Sequence, residues 1–438
     1  MTPFSRRDFL KLSLLGLGLA ACRGSRPAPT AQPTTTAPTQ APAAPIHTLA
    51  SPTLSPSSSA ALSPTSTPQP SATAAPRPFP SFVIDGHQDI AWNALEFERD
   101  PRQSAYETRQ REAANGLDEM IGQCTCGLPE YLSGRVGLIF ATLFVMPAEY
   151  AYPGRTAMTY RTPEQAQQRA QAQVDFYRQL TAGEPRLRLV TTLGDLEAVV
   201  AGWTEPKEGQ QPQVGIVLNM EGADPLLSPD DLPAWHARGL RSLGPAWRRT
   251  RYSGGTGEPG PLTALGKKLL PALAELNMIL DLSHLAEAAY LEAVDSYAGP
   301  LIASHSNPRR FLPSDRGLSD EMVRKLVARD GVIGLVLWNR YLDPAWRPNS
   351  PPGLVTLETV ADAVDYVAQI AGDARHVAIG TDFDGAFGAE AIPEEMDSAA
   401  DLIKLAETLT GRGYTQEDIE GVLNGNWLRV LRRSLPAT

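Results

Sequence analysis

Eight short apolar runs separated by helical patterns predict a (β/α)8 TIM-type barrel, with a closing C-terminal helix and a disordered tether before it. Two further observations agree. Most of the runs are continuous rather than alternating, as in strands buried on both faces. Four of them end on histidine, aspartate or glutamate, and the catalytic groups of a parallel barrel gather at the C-terminal ends of its strands.

In chain order the runs are FVID (82–85), VGLIFATLFV (136–145), VGIVLNM (214–220), GLRSLGPAW (239–247), MILDLS (278–283), LIAS (301–304), VIGLVLW (332–338) and HVAIGT (376–381). Helical patterns lie between several of them. TPEQAQQRAQAQVDFYRQL (162–180) opens with Thr162 as cap and Pro163 in the first turn. LTALGKKLLPALAELN (262–277) leads into the fifth run. SDEMVRKLVARD (319–330), capped by Ser319, leads into the seventh, and VTLETVADAVDYVAQIAG (355–372) stops at Gly372 before the eighth. YTQEDIEGVLNGNWLRVLRRS (414–434) is the closing amphipathic helix, expected on the barrel wall.

The N-terminus has a different character. MTPFSRRDFLKLSLLGLGLAAC carries twin arginines, Arg6 and Arg7, before an apolar stretch too short for the ~20 residues a membrane span needs. It reads as a twin-arginine export signal over 1–21. LAAC resembles a bacterial lipoprotein processing site, which implies lipid attachment at Cys22 and a protein held at the outer face of a bacterial membrane. A plain signal peptide cleaved near Ala20–Ala21 is the alternative. Residues 22–80 are nearly all Pro, Ala, Thr and Ser, a composition that cannot bury enough apolar surface to fold. The folded domain is expected over 81–438. The whole chain is 42% hydrophobic, ample for a core, and its net charge of −10 argues against a nucleic-acid partner. Cys124 and Cys126, in QCTCG, are too close in sequence for an unstrained disulfide and read as ordinary thiols.

His87 and Asp89 close FVIDGHQD, Glu221 closes VGIVLNMEG, His284 closes MILDLSH and His305 closes LIASH. Each has a plainer reading alone: a surface loop for H-x-D, a buried salt bridge for Glu221, a hydrogen-bonded core histidine for the others. Together they are five ligands on strand ends one, three, five and six. Imidazole and carboxylate without thiolate suit zinc and other divalent first-row ions. Five exceed the roughly three protein ligands of one open catalytic zinc. Two ions sharing Glu221 fit better; such pairs, about 3.5–4 Å apart, hold a hydroxide at neutral pH and polarise a carbonyl. The eighth run ends in GTDFDG, where Asp382 and Asp384 are both able to face the mouth, one as general base, or Asp384 to cap the next turn.

DGHQD, the Glu-Gly after the third run, DLSH, ASHSN and GTDFDG, in this order over about residues 82–435, resemble the membrane dipeptidases of the amidohydrolase-like metal barrels. The resemblance implies two zinc ions, one on His87 and Asp89, the other on His284 and His305, with Glu221 bridging. It implies that Asp382 is the catalytic acid/base and that Arg316, in SDRGLSDE, binds the substrate's terminal carboxylate through its planar fork. It makes a homodimer reasonable. There is one departure. Family members often end the fourth strand on a histidine that contacts the scissile carbonyl, whereas here the run ends on Trp247, with Arg248 following. Trp338, closing the seventh run, is a second candidate substrate contact. The expected activity is zinc-dependent hydrolysis of dipeptides. Trp247 motivates an alternative substrate, an N-acyl amino acid, a lactam or another small amide. A tethered solute-binding lipoprotein is the non-enzymatic alternative.

Overall fold

The computed structural model describes residues 79–437. The expected export signal, Cys22 and almost all of the 22–80 tether lie outside the described residues. The eight barrel strands are β1 Val83–Gln88, β2 Val136–Phe144, β3 Val214–Glu221, β4 Leu240–Gly244, β5 Ile279–Asp281, β6 Leu301–Ala303, β7 Val332–Leu335 and β8 Val377–Ile379. They pair in parallel in chain order, the arrangement of a (β/α)8 TIM-type barrel. Every residue of all eight strands is buried, which is why the runs read as continuous apolar sequence.

The seam between β8 and β1 is closed by few backbone bonds, a Gln88–Phe383 bridge and the Asp382 amide donating to the His87 carbonyl at 3.2 Å. A buried carboxylate reinforces it. Asp85 on β1 accepts from the Thr381 amide (2.8 Å) and hydroxyl (2.6 Å) and from the Gln88 amide group (2.6 Å). Nothing local in the sequence marks Asp85 out from the apolar residues around it.

The four expected helices are present as Pro163–Gly183, Ala264–Glu275, Asp320–Ala328 and Leu357–Ala371. Thr162, Thr263 and Ser319 cap the first three through their side chains, and Gly372 ends the fourth at φ +92°. Two strands are shorter than their runs. β4 stops at Gly244, so Trp247 lies in the loop leading to an antiparallel hairpin, Ser253–Gly255 with Glu258–Leu262. β7 stops at Leu335, so Trp338 caps the short helix Asn339–Leu342. A further strand, Leu187–Leu189, pairs with the N-terminal half of β3.

The closing helix departs from expectation in two ways. It is Gln416–Glu420 and Asn426–Ser434 joined through a π-helical turn at Gly421–Gly425. It plugs the N-terminal end of the barrel instead of lying on its wall. Trp427 is fully buried, and its indole N–H donates to the Ile379 carbonyl at 2.9 Å. A Cβ on Gly86 would come within 2.5 Å of the Trp427 ring, so β1 carries glycine where the indole enters.

Candidate functional site

The C-terminal ends of β1, β3, β5 and β6 bring together His87, Asp89, Glu221, His284 and His305, and Asp382 follows β8. Glu221 ends β3 in register with Phe144 on β2 and Gly244 on β4. Its two carboxylate oxygens face different partners. Oε2 lies 3.5 Å from His87 Nε2, while Oε1 lies 3.2 Å from His284 Nε2 and 3.5 Å from His305 Nε2. Three metal-sized groups of ligand atoms are found among the described residues, Glu221–His284–His305, His87–Asp89–Asp382 and His87–Asp281–His305. His87 Nε2 is 3.9 Å from both Asp89 Oδ1 and Asp382 Oδ1.

The donor set fits divalent cations. Both ring nitrogens of His87 are buried without a hydrogen-bond partner, an arrangement that costs free energy unless something else uses them. His284 Nε2 and His305 Nε2 are only 2.9 Å apart, and their pKa values are well below the imidazole range. Burial is the first cause for both, with the positive charges of Arg316 and His87 adding to it. Neutral imidazole is the form that binds a metal. Without a cation, burial draws His87 down, but Glu221, Asp89 and Asp382 more than reverse this and push it up to about 10. Burial also raises Asp89 to about 6, with Glu221 adding and His87 opposing.

A second layer holds these groups in place, and the sequence reading missed it. The Thr256 hydroxyl, in the hairpin turn, meets His284 Nδ1 at 2.9 Å, and the Ser304 hydroxyl meets His305 Nδ1 at 2.8 Å. Thr142 on β2 donates to Asp89. Asp281 on β5 is close enough to His87 and His305 to count as a ligand, but its oxygens are otherwise engaged. Oδ1 accepts from the amides of Ser283 (3.0 Å) and Ser304 (2.9 Å), and Oδ2 from Asn219 (3.0 Å) and the Ser304 hydroxyl (2.5 Å). Asp281 therefore orients Ser304, and through it His305. Two of the site residues also have left-handed backbone, His284 at φ +65° and Asp382 at φ +60°. Such non-glycine positions cost about 1–3 kcal/mol and persist where the surrounding fold imposes them.

Asp382 is the most open carboxylate of the cluster, its side chain 18% exposed against 7% for Glu221 and 8% for Asp89. Its pKa is raised well above the usual carboxylate range, first by burial and then by Asp89 and Glu221, against the charge of His87. Asp384 does not join it at the mouth. Its carboxylate accepts from the Thr125 amide (2.8 Å) and hydroxyl (2.7 Å) and pairs with Arg99 at 3.5 Å, tying down the QCTCG segment. Cys124 and Cys126 are free thiols whose pKa values burial pushes well above the usual thiol range.

Arg316 is buried beside the cluster. Nη1 donates to the Ser306 hydroxyl at 2.8 Å and Nη2 to the His305 carbonyl, while Nε is without a partner. Trp247 stands edge-on to Phe144 (5.1 Å) and Tyr150 (5.6 Å), 6.4 Å from the His284 ring. Trp338 stacks flat on Phe387 at 5.2 Å and touches Tyr341 at 4.8 Å.

The chain is similar to several known proteins. An uncharacterized protein in the pqqA 5′ region of Klebsiella pneumoniae is 33% identical over 257 residues, 56% of this chain and 89% of that protein. Among solved structures, the M19 metallopeptidase dipeptidase AC superposes with a TM-score of 0.65 at 26% identity, covering 82% of this chain and 99% of its own. A Rhodobacter sphaeroides metallopeptidase liganded with a phosphinate mimic of the dipeptide L-Ala-D-Ala gives 0.63 at 25% identity, covering 81% and 99%. The family model for membrane dipeptidase (peptidase family M19) matches residues 79–435, from just before β1 to the end of the closing helix. With the barrel and its convergent metal-ligand types inside that span, the chain belongs to the membrane dipeptidase family of metal-dependent peptide-bond hydrolases.

Proposed function

We propose that the protein is a two-metal dipeptidase with zinc as its ion. The division of Glu221 carries this reading, since one oxygen faces His87 and the other faces His284 and His305. His87 and Asp89 would hold one ion and His284 and His305 the other, with Glu221 shared. When bound, such a pair supplies Lewis acidity, lowering the pKa of water and polarising the substrate carbonyl. The chain's own groups do the rest. Water attacks the peptide carbonyl carbon, and Asp382, at the open edge of the cluster, takes its proton. As the C–N bond breaks, Asp382 returns that proton to the leaving amine. Arg316, fixed by Ser306 and His305, binds the free carboxylate at the substrate's C-terminus. The Rhodobacter relative, bound to its L-Ala-D-Ala mimic, is a reason to include L-D dipeptides among the substrates tested.

The test is metal analysis of the purified protein with assays on L-L and L-D dipeptides. Two ions per chain and amino-acid release that a chelator stops and zinc restores are expected. Absence of metal-dependent release would end the dipeptidase reading. A second reading, hydrolysis of an N-acyl amino acid or lactam, is favoured by Trp247 at the β4 end, where many relatives are expected to carry histidine. A higher kcat/KM on acylated amino acids than on any dipeptide would select it.

The same proposal places the enzyme outside the cell on a lipid anchor at Cys22. Cys22→Ala should move activity from the membrane fraction to the soluble one. Among the described residues no helix is long and apolar enough to cross a membrane.

A further inference from the structure

The loop after β4 carries an arginine that neither the ligand cluster nor the fold employs. The Arg248 guanidinium lies 4.4 Å from the ring centroid of Tyr150 and 5.6 Å from that of Trp247. The turn of the Ser253–Leu262 hairpin covers it. A Cβ on Gly257, where φ is +71°, would come within 2.6 Å of Arg248 Nη1. The guanidinium is thus clamped between an aromatic ring and a glycine backbone. Among the described residues, no carboxylate or carbonyl takes a hydrogen bond or ion pair from it. The neighbouring arginines differ: Arg249 donates to the Pro259 carbonyl (2.6 Å) and Arg251 to the Leu226 carbonyl (2.5 Å).

Three nearby carboxylates are engaged elsewhere, and a fourth, Glu149, is exposed beside Tyr150. Glu258 accepts from the Tyr150 hydroxyl (2.6 Å), and Asp315 accepts from the Gly257 amide (2.6 Å). Asp224 is held by the Tyr160 hydroxyl (2.8 Å), the Arg251 amide (2.9 Å) and the Arg251 side chain (3.4 Å). Arg248 lines a pocket that begins at Glu221 and has Trp247 and Tyr160 on its walls.

A held, half-buried guanidinium with no anion of its own, on the wall of a pocket that starts at the ligand cluster, is a receptor for an anion. Under the dipeptidase reading, on which this inference rests, Arg316 already takes the terminal carboxylate. We propose that Arg248 binds a second negative charge on the substrate, making the enzyme selective for dipeptides with an acidic side chain.

The test compares kcat/KM of the metal-loaded full chain on Glu-Ala against Gln-Ala and on Ala-Glu against Ala-Gln, in L-L and L-D forms, with Ala-Ala as reference. One charged hydrogen-bonded contact is worth about tenfold to a hundredfold, so the acid should exceed its amide by about that in one pair. Arg248→Gln should bring the ratio close to unity, and Arg248→Lys should keep part of it. Equal rates on acid and amide in the wild type overturn the proposal, as does a ratio that survives Arg248→Gln. An equal loss on acid and amide in Arg248→Gln also overturns it, and assigns Arg248 to the scissile carbonyl. Should Ala-Ala and every other dipeptide resist cleavage, the dipeptidase reading fails on its own. Calorimetric binding of N-acetylglutamate against N-acetylglutamine then decides the case of Arg248: a preference lost in Arg248→Gln supports it, and equal binding overturns it.

Discussion

Glu221 shows how one carboxylate can organise a site. Buried and unpaired it would be costly, and its two oxygens instead face three imidazoles. Glu221→Gln leaves the shape and removes the charge, so metal content measured on the purified variant should fall. Asp382→Asn keeps the hydrogen-bonding outline but removes the proton acceptor; kcat should fall about 10²–10⁴-fold while bound metal, measured in parallel, stays near the wild-type content. The positioning layer gives a subtler expectation. Thr256→Val frees His284 Nδ1 without touching a ligand atom, and such changes typically cost about 10–100-fold in metal affinity or activity. A zinc titration of the metal-free variant would read it as a weaker dissociation constant. The five candidate ligands stand out in the sequence because each follows an apolar run. Asp281 and Thr256 were not. Asp281 sits inside the run MILDLS, and its partners Asn219 and Ser304 come from other strands.

At the level of elements, the barrel strands were readable because all of them are buried on both faces, and a continuous apolar run is the trace of that burial. Their ends were less so. Trp247 and Trp338 read as strand residues, yet pairing stops at Gly244 and Leu335, and hydrogen bonding to a neighbouring strand decides where a strand ends. The closing helix is legible in its amphipathic pattern, but its place at the barrel base is not. Its apolar face enters the barrel base because glycine at Gly86 leaves room for Trp427. Trp427→Ala should therefore cost about 3–5 kcal/mol, the usual penalty for emptying a large aromatic site, and chemical denaturation should show it. A surface helix would lose much less.

For the molecule as a whole, the mouth of the barrel concentrates acids and imidazoles that repel or desolvate one another unless cations join them. In the metal-free protein protons partly take that role. Asp89 and His87 both have folded pKa values above their ordinary ones, about 6 and about 10. Their contribution is therefore full at low pH and lost as pH rises, through about 6 for Asp89 and through about 10 for His87. On the proposed two-zinc reading, zinc would compete with those protons, so its stabilisation should grow between pH 5 and pH 8. Thermal unfolding with zinc and with chelator at the two pH values would check this, and an increment no larger at pH 8 would contradict it.

The sequence by itself determined the eight-strand periodicity, the order of the strand ends that carry the candidate ligands and the resemblance to the dipeptidases. Those are local properties: a doubly buried strand must be apolar along its length, and a polar residue that closes it stands out. Only the tertiary structure decided how the oxygens of Glu221 divide, that Asp384 anchors QCTCG instead of facing the mouth, that Asp85 reinforces the barrel seam, and that Arg248 is held without an anion. Each of these depends on partners tens to hundreds of residues away along the chain. Barrel closure brings them together, and no local pattern of residues records which of them will meet.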